Sequence, residues 1–256
     1  MEFNQDENDL NNLSSFSQSL GTLFRQIGVF SIIQIIASFF LAFMTVGMLF
    51  SVVTGASMSE IFNIFQSSIW TILITATVLG IISYIFIIKL ITLLFGAEKR
   101  GIPIKGKYRK SALFFIVGII LGIVLLVVSF IVANWLMQLI QGIFNDPLFE
   151  IEDLEQVPSS NIISTLAQVG RTGLSLAGFY YLKQNFEQLS DYMRNSEKVS
   201  KGLQLLVIGY LLQIFGNLIG LIVDLASLLG LVGLILTIVG YFKASNGSKS
   251  TIWSQS

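Results

Sequence analysis

Three observations predict an all-α polytopic integral membrane bundle, with about six transmembrane helices and cytoplasmic N- and C-termini. Of 256 residues, 54% are hydrophobic and only 12% charged, a balance that a domain with a fully solvated surface does not carry. The apolar residues gather into long runs without period-two alternation, which suits spanning helices and argues against barrel strands. Lysine and arginine are missing from long stretches and crowded into a few short ones, which fixes an orientation.

Taken in order, residues 1–24 open with Met1-Glu-Phe-Asn-Gln-Asp-Glu-Asn-Asp9, acidic where a cleaved signal peptide is basic and then apolar. They read as a disordered, acidic cytoplasmic tail. A six-helix membrane domain is expected over 25–244, with spans at about 27–53, 67–95, 111–140, 162–182, 203–223 and 226–242, and a second cytoplasmic tail over 245–256. The stretch from Leu203 to Ala244 would cover about 60 Å as one helix, twice the roughly 30 Å hydrocarbon core. It therefore divides into two helices at Asp224-Leu-Ala-Ser227.

Neither Lys nor Arg occurs from Gln26 to Ile88, from Ser111 to Gly170 or from Gly202 to Phe242. By contrast Lys99, Arg100, Lys105, Lys107, Arg109 and Lys110 share one short loop. The positive-inside rule places that loop in the cytoplasm, against anionic lipid headgroups at the inner face of the cell membrane. The segment from Asn145 to Pro158 carries five acids and no base and falls outside. Its acids do not follow the EF-hand spacing. Trp70 and Trp135 suit the outer interface, and Tyr108, Tyr180, Tyr181 and Tyr241 the inner one, as an aromatic belt. Lys89 lies near the inner end of the second span and is expected to snorkel.

Small residues recur in rows. Gly118 and Gly122 open one; Gly202, Gly209, Gly216 and Gly220 form a second; Ala226, Gly230, Gly233, Thr237 and Gly240 form a third. Such spacing lets helix backbones approach closely in lipid, within one chain or between copies. A tight hairpin of the last two helices is expected; a homo-oligomer or another membrane protein is the alternative partner. Ile32-Ile-Gln-Ile-Ile-Ala-Ser38 resembles Leu211-Leu-Gln-Ile-Phe-Gly-Asn217, a hint of parallel repeats. Past the fourth span, Phe179, Leu182, Phe186, Leu189 and Met193 continue an apolar row, expected to lie along the inner interface or to dock a partner.

One feature interrupts the apolar pattern. Ser164, Gln168, Arg171, Thr172 and Ser175 recur at spacings of three and four and share a helix face. Arginine turned toward lipid costs about 2.5 to 3.5 kcal/mol on insertion scales, so this face points inward. Gln213, Asn217 and Asp224 occupy one face of the fifth span. At 1.5 Å per residue Arg171 lies about 14 Å below the outer boundary, Asn217 about 9 Å and Gln213 about 15 Å, with Asp224 at the mouth. The candidate intramembrane polar site is therefore Gln168, Arg171, Ser175, Gln213, Asn217 and Asp224. Arg171 is either a clamp paired with these neighbours or the anchor of a pocket for an anion or carboxylate.

Histidine and cysteine are absent, which removes imidazole bases, thiol nucleophiles and the common zinc or haem ligands. Asp224 is the one acid within the spans, so paired-aspartate proteolysis and metal-assisted phosphate chemistry are not supported. No catalytic residue, cofactor, metal or nucleic-acid partner is expected, and the protein is not expected to be an enzyme. The segments Gly202-Leu-Gln-Leu-Leu-Val-Ile-Gly-Tyr210 and Ser227-Leu-Leu-Gly-Leu-Val-Gly-Leu-Ile-Leu-Thr-Ile-Val-Gly-Tyr-Phe-Lys-Ala244 resemble prokaryotic, archaeal-type polytopic membrane proteins of families without assigned function. The sequence points first to a non-catalytic structural or accessory component that packs with itself or other membrane proteins. Its alternative is a small-solute or ion transporter or channel with an outward-facing polar pocket around Arg171.

Overall fold

The computed structural model describes residues 3–53, 57–99, 107–145, 160–188, 196–220 and 227–248. They form α1 (Phe3–Val53), α2 (Met58–Lys99), α3 (Lys107–Asn145), α4 (Ser160–Gln188), α5 (Ser196–Gly220) and α6 (Ser227–Ser248). All three prolines, at 103, 147 and 158, fall outside these helices, where their missing N–H and fixed φ break nothing. Ser57 caps α2 in a capping box: its backbone N–H donates to Glu60 Oε2 at 2.9 Å, and the Glu60 N–H approaches Ser57 Oγ at 3.4 Å. Along the apolar helices, hydroxyls donate to the carbonyl four residues back, as Ser31 does to Ile27 at 2.9 Å and Thr77 to Leu73 at 2.7 Å. A hydroxyl so bonded makes no demand on lipid.

Each helix packs on its two chain neighbours, and α6 closes back onto α1, making a ring of six helices. Neighbours run antiparallel. Gln34 and Phe30 of α1 meet Ser83 and Phe86 of α2, while Gly118 and Phe115 of α3 face Leu174 and Gly178 of α4. Closure rests on Gly21 and Gly28, which admit Ser248 and the Tyr241–Phe242 pair of α6, and on a hydrogen bond from Ser17 Oγ to the Ser248 carbonyl at 2.8 Å.

The tightest joint is α5 against α6. A Cβ on Gly209 would lie 2.6 Å from the Gly233 carbonyl oxygen and 2.8 Å from the Thr237 nitrogen, and one on Gly240 would lie 2.9 Å from the Gly202 carbonyl oxygen. The glycine rows are thus used within the chain, with backbone against backbone, as small-residue packing in lipid allows.

The ring is filled at one end. Leu13, Phe16, Leu20 and Phe24 of α1, Leu90 and Leu94 of α2, Tyr108 and Phe115 of α3, Leu182 and Phe186 of α4, Leu203 and Leu206 of α5, and Tyr241 of α6 form one buried cluster. Rings meet across the lumen there. Phe16 lies edge-on to Tyr108 with centroids 5.6 Å apart and stacks near Phe186 at 6.4 Å, and Phe24 contacts Phe179 at 6.4 Å. The exposed cations Arg25, Lys89, Arg109, Lys110, Lys201 and Lys243 stand at this same end.

Beyond them runs a band of exposed apolar side chains, from Val29 to Phe50 on α1, Trp70 to Ile88 on α2, Leu113 to Ile131 on α3, Ile208 to Ile219 on α5 and Leu228 to Val239 on α6. On the first three helices the band is about 27 to 32 Å long, the thickness of a hydrocarbon core. Among the described residues, five helices are long and apolar enough to cross a membrane; α4 is not among them. Its 29 residues reach about 44 Å, long enough to span, but its polar stripe lowers its hydropathy.

Four sequence expectations are corrected. Residues 3–24 are not a disordered tail but the first part of α1; Leu13, Phe16, Leu20, Leu23 and Phe24 follow helical spacing and are buried. Tyr108 and Tyr241 are core residues at 1% and 4% exposure rather than belt residues. Phe179, Leu182 and Phe186 face the core of a continuous α4 instead of lying along an interface; Leu189 and Met193 are outside the described residues. The helices also outrun the expected spans, α1 covering 51 residues.

Replacing Gly209 by Leu is expected to cost at least about 1 to 3 kcal/mol through overpacking and to lower the thermal midpoint of the detergent-solubilised chain. Gly47→Leu, at a site with open space around its Cα, should leave that midpoint nearly unchanged. Leu20→Ala, in the fully buried cluster, should destabilise by about 2 to 5 kcal/mol, as measured by the same melt; a tail residue would show no effect.

Candidate functional site

Above the filled end, at the depth of the apolar band, the ring encloses a cavity of about 340 Å³ to which all six helices contribute. α4 supplies Gln168, Arg171, Thr172 and Ser175; α5 supplies Tyr210, Gln213 and Asn217; Gln34, Ser83 and Thr237 come from α1, α2 and α6. Five of the six residues expected to form an intramembrane polar site therefore line one space, and Asp224 lies outside the described residues. Of the cations expected at lipid headgroups, Lys99, Arg109 and Lys110 are exposed. Lys107 begins α3, and Arg100 and Lys105 lie outside the described residues.

Aromatic rings make the floor. Phe179 stacks on Tyr210 with centroids 5.5 Å apart and planes 10° from parallel, and meets Tyr241 and Phe115 edge-on at 5.8 and 5.0 Å. The hydroxyls of Tyr210 and Tyr241 bond each other at 2.9 Å. Below the floor, the Tyr108 hydroxyl, both amide atoms of Asn185 and the Ser245 hydroxyl are buried without a hydrogen-bond partner among the described residues.

Two walls use the same device. Gln34 Nε2 donates to Ser83 Oγ at 3.0 Å, and Gln213 Nε2 donates to Thr237 Oγ1 at 3.0 Å. These are the equivalent glutamines of the two similar segments in α1 and α5, each bonded to a hydroxyl on the following helix. Both hydroxyls turn back to their own helix as well, Ser83 to the Leu79 carbonyl and Thr237 to the Gly233 carbonyl.

Arg171 is the cation of the cavity. Its guanidinium carbon lies 5.3 Å from the Tyr84 ring centroid, a cation–π contact worth about 0.5 to 2 kcal/mol. Tyr84 reaches this position because Gly122 of α3 has no side chain: a Cβ there would collide with the tyrosine hydroxyl. Among the described residues no carboxylate pairs with Arg171 and no hydrogen bond ties it to Gln213 or Asn217. Its donors are left for whatever occupies the cavity.

Chemically the lining offers one guanidinium, four amide side chains and several hydroxyls, and among the described residues no acid. Nor do three acids cluster among the described residues as metal ligands would. Such a set offers hydrogen bonds and one charge. Sequence reasoning missed Gln34, Ser83, Tyr84 and Thr237 as partners of Arg171's cavity; only the similarity of the Gln34 and Gln213 segments marked one of them.

Ring, apolar band and internal cavity together define a multi-pass helical membrane protein. The chain belongs to the DUF973 family of proteins of unknown function, whose model matches residues 104–244. That match covers α3 to α5 and most of α6, and hence Arg171, Gln213 and Asn217, while Gln34, Ser83 and Tyr84 precede it. Neither a curated protein nor a solved structure matches the chain.

Because the chain lacks cysteine, single cysteines report on water in the cavity without a background. Ser175→Cys and Asn217→Cys are expected to react with a small methanethiosulfonate in the folded protein, while Leu206→Cys in the filled end should stay unreactive. Equal protection of all three would show the cavity to be dry.

Proposed function

We propose that the protein is a non-catalytic membrane protein of the cell membrane that binds a small anion in its central cavity and passes it across the bilayer. The carrying observation is Arg171: a permanent charge at the depth of the apolar band, held among the described residues only by a tyrosine ring and lining a space of about 340 Å³. An arginine kept solely as a helix clamp would be paired or hydrogen-bonded, whereas Arg171 is half-buried with its N–H groups open to the cavity. Binding therefore explains the residue better than packing alone. A purely accessory component packing with other membrane proteins has no such observation in its favour.

Transport is favoured over static binding by the filled end. Tyr108, Asn185 and Ser245 are buried there without partners, each at a cost of about 1 to 3 kcal/mol. A state in which that end opens and hydrates them recovers this cost, which supports an open state alongside the closed one. In the orientation that the cations support, with both termini cytoplasmic, the cavity faces outward and the filled end is the inner seal. The inner-face cations contact anionic headgroups.

Arg171→Gln is the decisive variant. With acetate, benzoate and sulfate at up to 100 mM as probes, at least one should raise the melting temperature of the reconstituted wild type. At a hundredfold excess over Kd the stabilisation is about 2.7 kcal/mol. The variant should insert and melt cooperatively with no anion-dependent rise. Equal response of variant and wild type to every probe would remove the proposal.

A further inference from the structure

Taking that binding reading as its premise, the lining also limits what the anion can be. We infer that the ligand is a monocarboxylate with a compact apolar body. The size follows from the space: a cavity of about 340 Å³ lies at the lower end of the roughly 300 to 1,000 Å³ of small-molecule pockets.

The charge follows from the inventory. The cavity contains one cation, Arg171, and among the described residues no Asp or Glu lines it. A carboxylate matches a guanidinium fork with two parallel hydrogen bonds. A dianion such as sulfate brings a second charge for which the walls offer only neutral amides and hydroxyls, and an incompletely neutralised charge in a low-dielectric site is costly. A zwitterionic amino acid fails from the other direction, since its ammonium group finds no counter-charge among the described residues and sits within the field of Arg171. The neutral amide of the same acid lacks the charge that the guanidinium pairs with.

The apolar body follows from the floor and one wall. Tyr210 and Tyr241 turn their hydroxyls onto each other, so together with Phe115 and Phe179 they present ring faces and edges upward. On the α1–α2 side Phe30 and Phe86 add a tilted pair with centroids 5.5 Å apart. A ring or short branched chain laid on these surfaces removes apolar area from water and gains edge-to-face contacts. Its carboxylate then points toward Arg171. Long acyl chains do not fit, which separates a water-borne acid from a fatty acid drawn from the bilayer.

Benzoate, with nine non-hydrogen atoms, is the probe that satisfies all three limits. Calorimetric titration of the full chain in nanodiscs, in carboxylate-free buffer, should show saturable benzoate binding. Phenylalanine and benzamide should bind at least tenfold more weakly, and neither equimolar sulfate nor palmitate should displace benzoate. Arg171→Gln should erase the preference for benzoate over benzamide, and Arg171→Lys should keep the order with reduced affinity. Phenylalanine binding as tightly as benzoate overturns the monocarboxylate assignment, as does sulfate at equal affinity; in both cases anion binding at Arg171 stands. Displacement by palmitate overturns the compact body and points to a lipid source. No binding of any probe, with wild type and Arg171→Gln alike, removes this inference and the anion-binding reading together. The ligand order on wild type decides the matter even where a variant fails to fold.

Discussion

Everything in this structure depends on the contact between its first and last helices. Ser17 donates to the Ser248 carbonyl across 231 residues of sequence, and Gly21 and Gly28 let α6 lie against α1. Without that seam the helices would form an open row, each buried only against its chain neighbours. The polar residues of α4 and α5 would then face lipid, where each unsatisfied group is expensive. Closing the row turns their shared side into a lumen. The seam is made of small residues and a hydroxyl because nothing larger permits backbones to come so near.

Two different forces hold the ring, and the chain divides them by depth. At the cation-bearing end the helices outrun the apolar band, and water can drive burial. Leu, Phe and Tyr side chains fill the centre there, each fully buried Leu or Phe being worth about 1.5 to 3 kcal/mol relative to exposure. Within the band that force vanishes, because lipid is as apolar as leucine. There the helices rely on glycine-mediated contact between α5 and α6 and on hydrogen bonds such as Gln34 to Ser83 and Gln213 to Thr237. The middle of the ring has no need to be filled, and it is left as a cavity.

The same division explains what could be read from the sequence. Arg171, Gln168, Ser175, Gln213 and Asn217 were legible as one site because each helix carries several polar residues at helical spacing, so face and depth follow from counting. Gln34 and Ser83 are isolated among isoleucines, and one polar residue defines no face; only closure of the ring brings them to the cavity. Tyr84 was hidden for another reason, because its position follows from Gly122 on a different helix. The misreading of residues 3–24 came from weighing acidic composition above periodicity. Leu13, Phe16, Leu20, Leu23 and Phe24 already show the stripe of a buried helix, but its partners are the far ends of the other helices and lie far away in the sequence. Tyr108 and Tyr241 were placed at the lipid interface by their position along the chain, which does not tell an inward from an outward ring.

Among the described residues Tyr84, and not an acid, stands beside Arg171. A carboxylate at that point would form a buried ion pair, costly to assemble and costly to break, with removal of one partner worth about 3 to 5 kcal/mol. Any entering anion would have to compete with it. A tyrosine ring at 5.3 Å holds the guanidinium plane by its quadrupole for about 0.5 to 2 kcal/mol and takes up none of its N–H donors. Among the described residues the charge is thus oriented yet unneutralised. It rests at the depth of the apolar band because the walls around it supply amides and hydroxyls that can keep water, or an anion, beside it. The helix that carries it is the one of the six that falls short of an apolar span, and it is retained in the ring by its neighbours, packing Phe115 against Gly178 on one side and Tyr210 against Phe179 on the other. The bundle therefore stabilises a helix that lipid alone would disfavour, and the polarity that makes α4 a poor span is what gives the ring its interior.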